Sequence, residues 1–436
     1  MSGIYIHIPF CKSRCIYCDF YSTTGSRNRN LYVERVLDEA RARKDFFGST
    51  TSAKGVSLPS EEGNSMLSDK ESSIPSIHDN PSLSDKGPSL PSHHDNPSLS
   101  AKEPSTPFDK VSTSQEPSVS DKIRTVYIGG GTPSQLPATA LARLVEGLAG
   151  IFDLSEVEEF TLEANPEDIT PDFVRALPRE INRVSMGVQS FVDAELTLLR
   201  RRHNAQRAKD AVRLLQDAAD VRNISIDLMY GLPQQTEASL DYSIGCALSL
   251  DIQHISAYNL SVEPGTELAR RVGDGSLCVA DDDLCLAMNT LLRRRLQKAG
   301  FRQYEISNYA LPGFESKHNS SYWTRTPYLG LGPGAHSYDG RRLRCWNEPD
   351  LGAYLRGERP CGSETLTDTD LYNEQIMLGL RTAHGAVLDE SPVLASLITR
   401  GLLTPNTQES PSHGHLYRLT EEGLALADEV IRELMR

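Results

Sequence analysis

The residues best suited to chemistry in this sequence are three cysteines within eight residues, Cys11, Cys15 and Cys18. Three thiolates on one short loop can ligate three irons of a cubane iron–sulfur cluster, which leaves the fourth iron open to a small molecule. Zinc is the alternative, but a structural zinc site needs a fourth ligand close by. His7 could serve only if its side chain left the direction set by the preceding strand. The spacing therefore favours an iron–sulfur cluster, and the five scattered cysteines are interpreted as structural thiols.

The cysteine loop must be held by the element before it, and residues 4–8 are predicted to form a strand. Strand-like runs and amphipathic helical patterns then alternate along the chain. The later strand-like runs are 125–128, 159–163, 183–188, 223–228 and 254–258. Such alternation predicts a parallel sheet with right-handed crossovers. Six units favour an α/β fold with a partial (β/α)6 barrel over a flat doubly wound sheet.

Side chains along these strands alternate between apolar and polar. Parallel strands covered on both faces normally read as continuous hydrophobic runs, whereas Ser225 and Asp227 interleave with isoleucine and leucine. A half-solvated antiparallel sheet is the alternative, and the intervening helices weigh against it. We therefore expect one polar face and a ligand cavity at the C-terminal mouth of the barrel. The predicted lining residues are Tyr5, Glu163, Gln189 and Asp227.

Composition limits the class of partner. The chain has 436 residues and a net charge of −14, from 45 Lys and Arg against 59 Asp and Glu. This acidic balance argues against nucleic acid or anionic lipid as the main partner, because both are bound through Lys and Arg. No stretch approaches the ~20 apolar residues that span a bilayer, and no signal peptide is evident. Together with the scattered thiols, these features predict a cytoplasmic location.

One segment, from about residue 49 to 122, differs in composition from the rest. It is rich in Ser, Pro, Asp, Asn and Lys, and the sequence HDNPSL at 78–83 recurs at 94–99. Such a composition cannot bury enough apolar surface to offset the entropy lost on ordering, so we predict a disordered insert. A tolerated surface insertion is favoured over a partner-binding tail.

The cysteine spacing, with Tyr17 before the third cysteine, resembles the signature C-x3-C-x-Φ-C of the radical S-adenosylmethionine (SAM) superfamily. A second feature agrees, since GGGTP at 129–133 ends the second strand, as the glycine-rich SAM-binding loop does in that superfamily. The resemblance implies a [4Fe–4S] cluster whose open iron is chelated by the amino and carboxylate groups of SAM. It also implies an electron donor to the cluster, with the cofactor supplying the radical chemistry.

Four further motifs narrow the resemblance to the coproporphyrinogen-oxidase-like branch. They are IYIHIPFC at 4–11, LEANP at 162–166, SMGVQSF at 185–191 and DLMYGLP at 227–233. Among three adjacent arginines, Arg201 is chosen because its spacing to His203 matches the R-x-H of the family. The SAM-contacting positions implied by the resemblance are Tyr5, Tyr17, Gly130, Gly131, Thr132, Glu163, Gln189, Arg201 and Asp227.

Two activities compete within this branch, the oxygen-independent coproporphyrinogen III oxidase of heme synthesis and the heme chaperone of the HemW type. Phe20 occupies the position at which the oxidases usually carry a fourth cysteine, and Cys11 leaves no room for their N-terminal extension. Residues 318–323 match the H-N-x-x-Y-W motif of the chaperones. The resemblance thus favours a chaperone that passes heme to an acceptor protein, with the oxidase as the alternative and no catalytic residue assigned.

The H-N-x-x-Y-W motif has the chemistry of a heme site. Imidazole is a common axial ligand of heme iron, and Tyr and Trp offer flat apolar surface to a porphyrin. A surface histidine beside a core Tyr-Trp pair is the alternative interpretation. The candidate heme-binding residues are His318, Asn319, Tyr322 and Trp323.

The pattern changes from about residue 370 to short helices and a hairpin, which resembles the small winged-helix-like α+β domain of this branch. Thr420 is predicted to be the N-cap of the last helix. Glu421 and Glu422 make that helix acidic, which argues for packing or partner contact and against DNA. The predicted organisation is the start of the barrel at 1–48, the insert at 49–122, the rest of the barrel with H-N-x-x-Y-W at 123–369, and the C-terminal domain at 370–436.

Overall fold

The computed structural model describes residues 2–25, 27–47, 122–218, 220–406 and 415–436. The insert predicted to be disordered therefore lies outside the described residues, apart from Lys122. Within the described ranges, no helix is both long enough and apolar enough to cross a bilayer.

Six parallel strands form the centre of the molecule. They are β1 (Ser2–Ile8), β2 (Ile123–Gly130), β3 (Glu159–Ala164), β4 (Arg183–Gln189), β5 (Asn223–Tyr230) and β6 (His254–Asn259). Neighbours in the chain are neighbours in the sheet, and every pair from β1 to β6 is parallel. The helices that connect or follow them are α1 (Arg29–Ala42), α2 (Ala138–Ile151), α3 (Pro171–Arg175), α4 (Asp193–Leu198), α5 (Ala205–Gln216), α6 (Glu237–Leu248), α7 (Glu267–Gly273) and α8 (Asp282–Lys298). This arrangement confirms the predicted α/β fold.

Short strands extend the sheet at both edges. The elements after α8 are β7 (Arg302–Gln303), β8 (Asn308–Ala310), α9 (Lys317–Trp323), β9 (Tyr328–Leu331), β10 (His336–Tyr338), β11 (Leu343–Asn347), α10 (Leu351–Leu355) and β12 (Cys361–Thr365). β8 pairs antiparallel with β6, whereas β9 pairs parallel with β1 at the other edge. In the described residues the result is one twelve-stranded sheet, ordered β12-β11-β10-β9-β1-β2-β3-β4-β5-β6-β8-β7.

The alternation of side chains along the strands explains how this sheet is covered. Ile4 and Ile6 of β1 pack with Val33 and Val36 of α1 in one large core, and all four are fully buried. Burying apolar side chains on this face removes them from water, which is the main stabilising contribution to the fold. The polar residues of the same strands point to the other face, as predicted, and leave it available for a site.

The C-terminal residues form a second, smaller unit with its own hydrophobic core. Its elements are α11 (Asp368–Leu380), β13 (Ala386–Leu388), α12 (Pro392–Thr399), β14 (Leu403–Pro405), β15 (His415–Leu419), α13 (Glu421–Ala425) and α14 (Ala427–Leu434). Both β13 and β14 pair antiparallel with the central β15. This order of elements is compatible with a winged-helix-like domain. The final helix expected from the sequence is divided in two, because Leu426 has a φ of −119° between α13 and α14.

Thr420, predicted to be the N-cap of the final helix, caps α13, the first of the two segments into which that helix is divided. The hydroxyl of Thr420 accepts a hydrogen bond from the backbone N–H of Gly423 at 2.9 Å. We expect Thr420→Ala to lower the free energy of unfolding by about 1 kcal/mol, because this N–H loses its partner. Chemical denaturation would measure the change. Thr399→Ala serves as the control, since that exposed hydroxyl only bonds the carbonyl of Ala395 within α12; equal effects of the two substitutions would contradict the capping role.

Candidate cofactor site at the barrel mouth

The cysteine loop is fastened at its base where it leaves β1. The N–H of Cys11 donates to the carbonyl of Thr23 at 2.9 Å, and the N–H of Thr23 donates to the carbonyl of Pro9 at 2.6 Å. These two bonds close the loop, so that its cysteines lie over the C-terminal ends of the strands. Cys11, Cys15 and Cys18 all line one cavity of about 160 Å³.

This cavity also contains most of the residues predicted to contact SAM. Eight of the nine line it, namely Tyr17, Gly130, Gly131, Thr132, Glu163, Gln189, Arg201 and Asp227. Tyr5 is the exception, since its ring is buried against Tyr127 and its hydroxyl lies 3.1 Å from His7 Nδ1. A role for Tyr5 in SAM binding thus stays a prediction.

Sequence reasoning missed several residues of the lining. Tyr127, Asn165, Ser185, Ser256 and Tyr258 all face the cavity. Tyr127 and Ser185 could have been found from strand alternation, since each lies between two apolar residues of its strand. Asn165 is part of the LEANP motif, but nothing in its local pattern distinguishes a cavity residue from a turn residue.

The glycine-rich loop after β2 allows the cysteine loop to approach closely. A Cβ atom at Gly131 would lie 3.1 Å from Cys11 Sγ and 3.0 Å from the carbonyl oxygen of Ile8. An alanine at this position would fit only if the cysteine loop moved by a few tenths of an ångström, so glycine favours the close approach of the two loops. The N–H of Gly130 donates to Glu163 Oε2 at 3.1 Å, which orients that carboxylate at the cavity wall.

Arg201 connects the cysteine loop to the strand ends. Its guanidinium donates to Asn165 Oδ1 at 2.6 Å, to the Gly187 carbonyl at 2.5 Å and to Cys15 Sγ at 3.4 Å. Burial opposes its charge, but the neighbouring Tyr17 and Cys15 raise the pKa of Arg201 above its ordinary value. It therefore places a permanent positive charge beside the cysteines.

The adjacent arginines have other partners. Arg200 pairs with Glu267, and Arg202 pairs with Glu167 at 3.3 Å. Burial opposes the charge of Glu167, but the hydrogen bond with His203 and the charge of Arg201 lower its pKa to about 2. Glu167 is therefore ionised at neutral pH and compensates the buried arginine.

The acidic wall of the cavity is formed by Glu163 and Asp227. Glu163 Oε1 accepts a hydrogen bond from the Tyr127 hydroxyl at 2.7 Å, and Asp227 accepts one from the Ser185 hydroxyl at 3.2 Å. Burial raises the pKa of Asp227, while hydrogen bonding to Ser256 opposes that shift. These carboxyl groups suit a ligand with positive or hydrogen-bond-donating groups.

The strand that presents Gln189 is irregular at this point. The pairing of β4 with β5 shifts register between Gly187 and Gln189, which is the mark of a bulge. Gln189 itself has a φ of 68°, in the left-handed region that non-glycine residues rarely occupy. The bulge places the amide side chain of Gln189 at the cavity wall.

The donor set fits a cluster better than zinc. Burial raises the pKa of the Cys18 thiol to about 12 and also raises that of Cys11, so binding of a metal centre must displace their protons. In the described residues, no three His, Cys, Asp or Glu side chains converge closely enough for a single metal ion. His7, the possible fourth zinc ligand, lies 2.9 Å from the Tyr21 carbonyl through Nε2. A cubane spreads its ligands over several irons, which suits three thiols on an open loop.

The H-N-x-x-Y-W residues form helix α9, and His318 is fully buried in it. Its Nδ1 lies 2.8 Å from Thr125 Oγ1, and its Nε2 lies 2.9 Å from the Tyr322 hydroxyl. Asn319 reaches the cavity, whereas Trp323 packs against the core of the C-terminal unit. Ligation of iron by one nitrogen of His318 would therefore require the contact of that nitrogen to break, and the heme-binding role of these four residues stays a prediction.

Comparison with known proteins identifies the family. The Radical SAM superfamily model matches residues 117–244. The heme chaperone HemW of Mycobacterium tuberculosis (strain CDC 1551 / Oshkosh) is 31% identical over 444 residues, covering 99% of this chain and 94% of that protein. The heme chaperone HemW of Escherichia coli (strain K12) is 33% identical over 441 residues, covering 97% and 94%. The chain belongs to the HemW family of radical SAM proteins.

A solved structure supports the fold of this HemW-family chain. Coproporphyrinogen III oxidase (HemN) from Escherichia coli, a radical SAM enzyme, aligns with a TM-score of 0.69 at 19% identity, covering 100% of this chain and 90% of that one. At this identity the likeness shows the fold alone, and it confirms the predicted radical-SAM architecture. Membership in the HemW family implies a [4Fe–4S] cluster and SAM, and the residues at the barrel mouth fit both.

Proposed function

We propose that the protein is a heme chaperone that holds a [4Fe–4S] cluster on Cys11, Cys15 and Cys18, binds SAM, and passes heme to an acceptor protein in the cytoplasm. One observation carries the proposal. The three thiols and eight predicted SAM residues line the same cavity, in a chain that matches proteins named heme chaperones over nearly its whole length.

The charges of the cavity suit SAM. Its amino and sulfonium groups are positive, and Glu163 and Asp227 supply the carboxyl groups that complement them. Its carboxylate is complemented by Arg201, which lies beside Cys15. When bound, the cluster and SAM supply one-electron chemistry. The residues of the chain bind and orient the ligand and, by burial, limit the access of water.

The rim of the mouth indicates where the electron donor would dock. Lys12 and Arg14 lie in the cysteine loop, line the cavity and are exposed. In a chain of net charge −14, an exposed cationic rim at one opening favours approach of an anionic partner to that opening. We expect the electron donor to reach the cluster from this side.

The experiment that tests the proposal compares heme binding with oxidase activity. Anaerobically reconstituted protein is titrated with heme by absorbance and, in parallel, incubated with SAM, dithionite and coproporphyrinogen III. We expect stoichiometric heme binding and no formation of protoporphyrinogen. In His318→Ala the affinity for heme should fall at least tenfold, which corresponds to about 1.4 kcal/mol of binding free energy.

The control for the heme titration is His384→Ala, which removes an exposed histidine outside H-N-x-x-Y-W and should leave heme affinity unchanged. Formation of protoporphyrinogen would instead establish the oxidase. Heme binding that is insensitive to His318→Ala would remove that histidine from the heme site.

A further inference from the structure

Helix α9 closes the barrel at the end opposite the cysteine loop. Thr125, which contacts His318, lies near the N-terminal end of β2. Glu159 is the first residue of β3, and its carboxylate accepts the N–H groups of Lys317 at 2.8 Å and His318 at 2.9 Å. The cysteine loop follows the C-terminal end of β1. The H-N-x-x-Y-W helix therefore approaches the cavity from the opposite side, at the N-terminal ends of β2 and β3.

A continuous chain of contacts runs from this helix up to the cavity wall. The imidazole of His318 stacks on the ring of Tyr127, with the ring centroids 5.1 Å apart and the planes inclined by 29°. The hydroxyl of Tyr127 donates to Glu163 Oε1 at 2.7 Å. Burial raises the pKa of Tyr127 well above its usual value, so the hydroxyl keeps its proton and remains a donor. Glu163 is thus positioned by the N–H of Gly130 at one carboxylate oxygen and, at the other, by the hydroxyl of a ring that His318 supports.

The packing around these rings leaves little room for either to move. A Cβ atom at Gly3 would lie 2.8 Å from Thr125 Oγ1 and 3.1 Å from His318 Cε1. A Cβ atom at Gly129 would lie 2.7 Å from Tyr127 Cε1. Only the absence of side chains at these two glycines allows the rings to occupy their places.

We propose that Tyr127 and His318 are positioning residues for SAM. The imidazole supports the Tyr127 ring, and the Tyr127 hydroxyl holds Glu163 in the orientation in which it meets the positive groups of the ligand. The inference rests on the proposed role of Glu163 in SAM binding. Its consequence is that the H-N-x-x-Y-W motif contributes to SAM affinity when no heme is present.

The test uses cluster-loaded protein free of heme, titrated with SAM and followed by the change in the EPR signal of the reduced cluster. We expect Tyr127→Phe to weaken SAM binding about tenfold, because it removes a hydrogen bond to a charged group. His318→Ala should weaken it about fivefold by removing the support below the ring. His318→Phe keeps a ring in that place and should restore most of the affinity.

The matched control is Tyr354→Phe. The Tyr354 hydroxyl also donates to a buried carboxylate, Glu39 Oε2, at 2.7 Å, but neither residue lines the cavity. SAM affinity should be unchanged in this variant, even if its melting temperature falls. A similar loss of affinity in Tyr354→Phe and Tyr127→Phe would show a general effect of stability and overturn the inference.

A double-mutant cycle with Glu163→Gln separates this inference from the proposal beneath it. We expect Glu163→Gln to weaken SAM binding, and Tyr127→Phe to add less than a twofold effect in that background. If Glu163→Gln has no effect, the proposed SAM site is wrong and the inference falls with it. If Glu163→Gln weakens binding while Tyr127→Phe and His318→Ala do not, only the inference is overturned. These SAM titrations contain no heme. A failure to bind heme in the separate heme titration would therefore contradict the chaperone proposal and leave this inference untouched.

Discussion

Replacing Cys15 with alanine should abolish the absorbance and EPR signal of the [4Fe–4S] cluster and leave a folded protein. Cys11 and Cys18 could then hold only two irons, and a cubane with two protein ligands is not retained. Cys15 is only half-buried, and the hydrogen bond to its Sγ comes from Arg201, which keeps its bonds to Asn165 and Gly187. The fold should therefore tolerate the substitution, and iron and sulfide analysis after anaerobic reconstitution would measure the loss.

The control for this experiment is Cys246→Ala, which removes another half-buried free thiol, away from the cavity. Its cluster content should equal that of the unchanged protein. Some heme binding should remain in Cys15→Ala, because His318 lies at the opposite end of the barrel. Equal loss of cluster and heme in Cys15→Ala would show that the two proposed sites are not separate.

Replacing Arg201 with methionine should weaken SAM binding about 100-fold, which corresponds to about 3 kcal/mol. The substitution keeps an unbranched apolar side chain but removes the only charge that contacts both Cys15 and Asn165 in the described structure. It also leaves Glu167 with one fewer compensating charge. Titration of the cluster-loaded variant with SAM by EPR would measure the affinity.

The neighbouring arginine provides a control of the same chemistry. Arg202→Met removes an exposed guanidinium that pairs with Glu167 at 3.3 Å at the mouth, so we expect less than a threefold effect. Cluster content should be measured in both variants, because only a loss of affinity at equal iron content supports a role for Arg201 in the SAM site. Similar losses in the two variants would point to the general positive potential of the mouth.

Local sequence patterns were sufficient to predict the repeated βα units of the barrel and the two faces of their strands. The alternation of Ile224 and Ile226 with Ser225 and Asp227 predicted both the covered and the polar face of β5. Because consecutive βα units are neighbours in a parallel barrel, strand order followed from chain order. The cysteine loop and the glycine-rich loop were predictable for the same reason, since each directly follows a strand.

The parts that escaped prediction depend on contacts between distant residues. The motif containing His318 was recognised from its letters, but its position beneath the cavity is determined by Gly3 and Thr125, far away in sequence. The pairing of β9 with β1 joins segments separated by most of the chain, and four-residue strands carry little signal of their own. Strand alternation could have identified Tyr127 as a cavity residue. Its hydrogen bond to Glu163 could be predicted only with knowledge of the register between β2 and β3.

The bulge at Gln189 has a consequence for redesign. A residue with a Cβ atom held at a φ of 68° is disfavoured by roughly 1 to 2 kcal/mol, and glycine would relieve that strain. Methods that rank substitutions by folding stability alone would therefore choose glycine at this position. The resulting protein would melt at a higher temperature and present no amide to the cavity. Thermostabilisation of this protein should accordingly leave Gln189 fixed, since stability and the proposed SAM binding favour different residues at this position.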